Sequence, residues 1–180
     1  MDKAQDRAID ELLVIRCQAG EQASFDLLVR RWQRRLWQYA LRLTGDPDAA
    51  WDVTQETWMA VLRQLRKLTD PAWFAAWIYR IVRNKSADYC RTARRLRNLA
   101  VGVAEQQRSK PESQRDDCRD AAEALAQLPP ESQELLTLRY SGNLTILELA
   151  VVLGIPAGTV KSRLHYARER LRQILKGEKP

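Results

Sequence analysis

A chain of 180 residues, 45% hydrophobic and 29% charged, has room for one domain or two small ones with real cores. Its 30 Lys and Arg against 23 Asp and Glu leave a net charge of +7, which fits a polyanionic partner without identifying one. No stretch approaches the roughly 18–20 apolar residues of a membrane span, and the charged start Met1-Asp2-Lys3-Ala4-Gln5-Asp6-Arg7 precedes no apolar signal core, so the chain reads as cytoplasmic. Cys17, Cys90 and Cys118 lie far apart in no CxxC pair and His165 is the single histidine, so the sequence offers no metal-ligand cluster and the cysteines read as reduced thiols.

Residues from about Asp6 to Gln18 suit a first helix with Ile9, Leu12, Leu13 and Ile15 as its apolar positions, and Gly20 breaks it. Ser24 can cap a second helix in which Phe25, Leu28, Trp32, Leu36, Tyr39 and Leu43 recur at spacings of three and four. Arg30, Arg31, Arg34 and Arg35 fill the other side as a solvated face, and Gly45 closes the helix.

Asp46-Pro47 is an N-cap followed by proline at the first helical position and starts a third helix. Its core side is Ala50, Val53, Thr54, Thr57, Val61 and Leu65. Another face carries Asp52, Gln55, Glu56 and Met59, mostly acidic and amide groups on a basic protein. On spacing alone that face is either solvated helix surface or a docking site.

Asp70-Pro71 repeats the cap-plus-proline signal and predicts a fourth helix reaching about Arg97, with Phe74, Ile78, Ile81, Val82 and Tyr89 as its core stripe. Trp73, Trp77, Arg80, Asn84 and Arg91 make a second stripe, aromatic at one end and basic-polar at the other. Tryptophans at this spacing pack cores. Aromatic faces beside arginines and an amide also suit single-stranded DNA, which needs a stacking surface and phosphate donors.

From Gly102 to about Glu123 the pattern vanishes: large apolar residues are nearly absent, and six acidic residues face four basic ones, so this is a flexible linker without a core. Helix is expected again over Ala121–Leu128 and over Glu131–Tyr140. Thr145 and Glu148 then form a capping box opening a short helix with Ile146, Leu149, Ala150 and Leu153 at helical spacing. Gly154 supplies a left-handed end, and Pro156 marks the start of the last helix. Val160, Leu164, Ala167, Leu171 and Leu175 form that helix's packing stripe, while Lys161, Ser162, His165, Arg168 and Arg172 lie off it. Two helices joined by so short a turn read as a helix-turn-helix whose second member enters a DNA major groove. The predicted class is therefore all-α, two small helical domains at 1–101 and 124–180 joined by a linker at 102–123.

Several of these stretches resemble bacterial sigma factors, most nearly the small extracytoplasmic-function (ECF) type. The run from Gly154 through Thr159-Val160-Lys161-Ser162-Arg163 to Leu164, with Leu128-Pro129-Pro130, Leu138-Arg139-Tyr140 and Glu148-Leu149-Ala150, looks like the sigma C-terminal domain. Ala50-Trp51-Asp52-Val53-Thr54-Gln55-Glu56 resembles the segment that docks on the clamp coiled coil of RNA polymerase, although the family usually has an acidic or amide residue where this chain has Trp51. Trp77-Ile78-Tyr79-Arg80-Ile81-Val82-Arg83-Asn84 is similar to the segment that melts and reads the minus-ten element. The resemblance covers about Ser24 to Arg172 apart from the linker.

By that resemblance the protein is a non-catalytic promoter-specificity subunit, without cofactor. Thr159, Lys161, Ser162, Arg163, His165, Arg168 and Arg172 would meet the minus-thirty-five element. Asn84 and the loop from Leu65 to Trp73 would hold an extruded base, beside Trp73 and Trp77, while Arg80, Arg83, Lys85 and Arg91 meet backbone. Asp52, Gln55, Glu56 and Met59 would face the polymerase clamp; the flap of the polymerase and an anti-sigma factor are further partners the resemblance implies. A free-standing regulator using only the helix-turn-helix is the alternative, but duplex binding alone has no use for the Trp77–Asn84 stripe or the acidic third-helix face. An enzyme on nucleic acid finds no paired catalytic site and no phosphate-cradling glycine loop in the sequence.

Overall fold

The computed structural model describes residues 3–99 and 123–176. The chain divides into two compact units, Met1–Ser109 and Lys110–Pro180. Among the described residues every regular element is helical. The linker expected at 102–123 lies outside them except for Glu123, which already belongs to a helical turn over 123–126.

In the first unit, α1 (Lys3–Gln18), α2 (Gln22–Thr44), α3 (Pro47–Gln64) and α4 (Phe74–Leu99) pack around one core. The capping logic of the sequence is visible in the bonds. The Asp46 carboxylate accepts from the Asp48 N–H at 2.9 Å, and Gly45 ends α2 at φ +72°, a left-handed value at which a side chain is strained. Asp70 caps in the same way at 3.0 Å, but what it opens is a 3-10 turn over Pro71–Trp73, with α4 following directly. The stretch expected as a loop from Leu65 to Trp73 thus holds two such turns, at Leu65–Lys67 and Pro71–Trp73. Ser24 does not cap α2. The helix starts two residues earlier, behind Glu21, and Ser24 is buried inside it.

α1 turns differently from its expected face. Leu13 and Val14 are buried with Asp10, whereas Ile9, Leu12 and Ile15 are exposed. Arg31 of α2 donates from Nε to Asp10 Oδ1 at 2.9 Å and from a terminal nitrogen to Asp6 Oδ1 at 3.2 Å, so the acidic edge of α1 is turned onto α2. Burial alone would lower the Arg31 pKa, but the bonds and charges of Asp10 and Asp6 outweigh it and the net shift is upward. Arg31 is therefore no member of a solvated face, unlike exposed Arg30, Arg34 and Arg35. Gln18 closes the end of α1 by donating to the Leu65 and Leu68 carbonyls at 2.9 and 2.7 Å.

The centre of this unit is aromatic. Trp32 meets Phe74 edge-on at 5.4 Å between ring centroids and Tyr79 at 5.7 Å, and Tyr39 meets Tyr79 at 5.2 Å. Tyr79 falls outside the expected α4 stripe yet is buried, while Tyr89, expected in the core, is exposed. Phe74, Ile78 and Val82 are buried as expected and Ile81 is half-buried. Burial pushes the Tyr79 phenol up to about 12, with the Arg35 charge pulling weakly the other way. The six expected core residues are all buried, five on α3 and Leu65 in the 3-10 turn that follows it, joined on α3 by Ala49, Trp58 and Ala60. The Thr54 and Thr57 hydroxyls donate to the Ala50 and Val53 carbonyls one turn back, which satisfies them inside the core.

In the second unit, α5 (Pro130–Tyr140), α6 (Ile146–Leu153) and α7 (Ala157–Leu175) follow the helical turn at 123–126. The capping box is complete: Glu148 N–H donates to Thr145 Oγ1 at 3.2 Å, and Thr145 N–H to Glu148 Oε2 at 2.6 Å. Gly154 ends α6 at φ +68°. Leu149, Val152, Val160, Leu164 and Ala167 form the core with Leu135, Leu136, Leu138 and Leu144; of the expected α7 stripe, Leu171 is half-buried and Leu175 is exposed, because α7 outruns its partners.

Candidate functional site

Three surfaces carry the sequence-predicted residues. On α3, Asp52, Gln55, Glu56 and Met59 are all exposed on one side, opposite the buried threonines. They are fixed by the helix rather than by packing of their own. Glu56 has a partner from another helix: Lys85 of α4 donates from Nζ to its Oε2 at 2.8 Å. A residue assigned to polymerase and one assigned to DNA therefore sit side by side.

Trp73 ends the 3-10 turn just before α4, and on α4 Trp77, Arg80, Asn84 and Arg91 fall at steps of three, four and seven residues, which keeps these four on one face. Trp73 and Trp77 are half-buried, and Trp77 leans on Phe74 with 6.1 Å between ring centroids. This indole is thus part wall of the core and part surface. Arg80 and Asn84 are exposed, Arg83 and Lys85 half-buried. Arg91 is exposed and ion-paired with Asp88 one turn back. The face offers ring surface, an amide and several cations in a line, a composition able to stack unpaired bases and hold phosphates.

On α7, Lys161, Ser162, Arg163, His165, Arg168 and Arg172 are exposed and Thr159 is half-buried. Ser162 Oγ donates to the Gly158 carbonyl one turn back at 3.2 Å. Arg163 is paired with Glu131 at 3.1 Å, and Arg172 with Glu169 at 3.1 Å. Arg168 lies over the Tyr140 ring, 5.8 Å from its centroid. Glu131 and Tyr140 had no place in the sequence-based site, since nothing in a one-dimensional pattern pairs residues about thirty positions apart. Tyr166, exposed and edge-on to His165 at 5.7 Å, was legible in principle: it stands one turn beyond Ser162 and Arg163. The turn before α6 is pinned by Arg139, which donates to the Leu144 carbonyl at 2.7 Å, so the two short helices present α7 in a fixed attitude within this unit.

Each of the two units matches a family model. The Sigma-70 region 2 model matches residues 28–96, and the Sigma-70, region 4 model matches residues 124–173. The ECF RNA polymerase sigma factor SigL of Mycobacterium tuberculosis is 39% identical over 164 residues, covering 87% of this chain and 92% of that protein. The chain belongs to the ECF RNA polymerase sigma factors.

RNA polymerase sigma-H factor of Pseudomonas aeruginosa is 32% identical, over 92% of this chain and 93% of its own length. Among solved structures, the sigma factor RpoE in complex with the anti-sigma factor NepR from Bartonella quintana matches at a TM-score of 0.70 and 25% identity, covering 86% of this chain and 98% of that one. CnrH in complex with the cytosolic domain of CnrY matches at a TM-score of 0.65 and 28% identity, over 95% and 99%. ECF sigma factors are initiation factors, not enzymes. Among the described residues there is no group of three or more candidate metal ligands, and no helix long and apolar enough to cross a membrane. The region 2 match runs from α2 into α4, and the region 4 match takes in α5, α6 and nearly all of α7.

Proposed function

We propose that this sigma factor acts in the cytoplasm, binding core RNA polymerase and directing it to promoters through two separate readings of DNA. Residues 1–101 form the domain that docks on the polymerase clamp and opens the minus-ten element; residues 124–180 form the domain that reads the minus-thirty-five element, and 102–123 join them. In the first domain Asp52, Gln55, Glu56 and Met59 face the clamp. Trp73 and Trp77 stack on unpaired bases, Asn84 holds one of them, and Arg80, Arg83, Lys85 and Arg91 neutralise backbone. In the second domain α7 enters the major groove, where Thr159, Lys161, Ser162, Arg163 and His165 meet base edges and phosphates while Arg168 and Arg172 hold the flanking backbone. The flap of the polymerase is the partner of this second domain outside DNA. The RpoE structure contains an anti-sigma factor, and by that likeness we infer one for this chain too.

The observation that carries the reading is the stripe of Trp77, half-buried, with Arg80 and Asn84, both exposed, in the same chain as a helix-turn-helix: a duplex-only regulator needs the second and not the first. Reconstitution tests it. Core polymerase plus this chain is expected to give discrete transcript starts on genomic fragments, where core alone gives none. Failure to associate with core, or starts identical to those of core alone, would overturn it.

A further inference from the structure

Two arginines that flank the packing side of α7 are both held from α5. At about 100° per residue, Arg163 and Arg168 fall roughly 70° to either side of the centre of the Val160, Leu164, Ala167 and Leu171 stripe, whereas Ser162 lies opposite it. Neither arginine therefore leaves the helix straight outward as Ser162 does; each stands at a margin where α7 meets α5. On one margin Arg168 lies over the ring of Tyr140, the last residue of α5. On the other, Arg163 Nη1 is 3.1 Å from Oε2 of Glu131, in the first turn of α5. Both ends of α5 are themselves anchored. Gln133 donates to the Leu128 and Ala126 carbonyls at 2.7 and 3.2 Å, and Arg139 to the Leu144 carbonyl at 2.7 Å.

We propose that Glu131 is a positioning residue for promoter recognition: its carboxylate sets the direction of the Arg163 guanidinium before DNA arrives. This rests on the reading of α7 as the groove helix. As a source of stability the pair counts for little, with Arg163 49% exposed and Glu131 77%. Its value lies in direction. A guanidinium reads a base edge or grips a phosphate through a planar fork of donors, and an arginine that swings freely gives up that freedom on binding. Glu131 occupies one terminal nitrogen, which leaves the other donors of the fork to an acceptor on DNA. A carboxylate so near to phosphates also repels them. On charge alone, Glu131 therefore weakens binding to any sequence; as a positioning group it strengthens binding to the right one. The two roles have opposite signs, and that separates them.

The test uses the full chain assembled with core polymerase and two DNA fragments at one salt. One fragment is a promoter found by mapping transcript starts, and the other is the same fragment with its minus-thirty-five element scrambled. The two dissociation constants give a specificity ratio. Arg163→Ala is expected to lower that ratio about tenfold. Glu131→Gln, which keeps the shape and removes the charge, is expected to lower it about three- to fivefold, with binding to the scrambled fragment unchanged or tighter. In the Arg163→Ala background, Glu131→Gln is expected to lower the ratio no further, since no guanidinium is left to direct. If Arg163→Ala lowers the ratio but Glu131→Gln tightens binding to both fragments alike, Glu131 is only a repelling charge; the proposal falls and the groove reading of α7 stands. A further loss of ratio in the double variant also overturns the proposal, because Glu131 then acts through another group. If Arg163→Ala leaves the ratio at the parental value, the groove assignment of Arg163 falls and the proposal with it.

Discussion

Lys85 Nζ donates to Glu56 Oε2 at 2.8 Å, a bond across 29 positions that ties α4 to α3. Lys85 is about one-third exposed and Glu56 nearly two-thirds, so the pair is screened and holds the fold by no more than roughly 1 kcal/mol. Its interest is positional: the proposed function gives each partner to a different macromolecule.

Lys85→Met should therefore separate the two roles. The affinity for core polymerase is expected to stay within about threefold, since the variant only unmasks Glu56. The assembled complex should bind promoter DNA more weakly, with the slope of log affinity against log salt reduced by about one, the share of one phosphate contact. Filter binding across a salt series measures it. Weakened binding to core with an unchanged DNA salt slope would assign Lys85 to the polymerase face instead.

Asn84 gives the cleaner test of strand capture, because it is exposed and no core contact depends on it. Asn84→Ala is expected to slow open-complex formation about tenfold while leaving binding to pre-opened promoter DNA nearly unchanged, if it holds an extruded base. Trp77→Ala should do the same at a cost in stability, since half of that ring packs inward against Phe74. Permanganate footprinting of unpaired thymines reads the first effect and a thermal melt the second. An Asn84→Ala protein that opens promoters at the parental rate refutes the assignment.

Most local signals were legible in the sequence, the Ser24 cap excepted, and distant ones were not. The Asp46 and Asp70 caps, the left-handed Gly45 and Gly154, and the Thr145–Glu148 box each involve residues within a turn of one another, so spacing reveals them. The face of α1 was misjudged because Ile9, Leu12, Leu13, Val14 and Ile15 permit more than one apolar stripe. The stripe that is buried, Leu13 and Val14, lies with Asp10, whose partner Arg31 is over twenty residues away. Tyr79 and Trp58 enter the core through aromatic neighbours on α2, again a tertiary fact. At the site the helices displayed the expected residues on their faces, but the pairs Glu56–Lys85 and Arg163–Glu131 follow only from folding.

Tyr79 predicts an alkaline weakness of the first unit. Its phenol is buried and its pKa raised from 10.0 to about 12, so the folded state keeps the proton where the unfolded chain has lost it. The stabilisation is complete below about pH 10 and is lost as pH rises toward 12, a window worth roughly 2–3 kcal/mol. Denaturant unfolding at pH 9 and pH 11 should show about half of that fall, and Tyr79→Phe, which has no proton to lose, should flatten it. An equally steep fall in Tyr79→Phe would place the sensitivity elsewhere.

The Thr145 cap can be weighed without unfolding the whole chain. Thr145→Ala removes the acceptor of the Glu148 N–H and should destabilise α6 by about 1 kcal/mol, or roughly fivefold in hydrogen-exchange protection of its first-turn amides. Thr145→Ser keeps the acceptor and should restore protection. Exchange unchanged in Thr145→Ala would mean that the cap contributes nothing beyond the packing of Leu149 and Val152.

The last prediction concerns how the two readings are coordinated. Between Leu99 and Glu123 lie 23 residues. Fully extended, such a segment reaches roughly 80 Å, while a chain of that length free to fluctuate averages only about 25 Å between its ends. Two promoter elements about two helical turns apart, the separation the sigma resemblance implies, lie some 70 Å from each other at about 3.4 Å per base pair. A chain held near full extension gives up most of its conformational freedom, so simultaneous binding by the protein alone is entropically opposed. Core polymerase removes that opposition by docking each unit, which converts two weak bindings into one with a high effective concentration. The purified protein is therefore expected to protect promoter DNA weakly and with little specificity, and the complex with core to protect both elements. Footprints of the two, on the same fragment at the same salt, decide the matter. Tight protection of both elements by the protein alone would refute the coupling and favour a free-standing regulator.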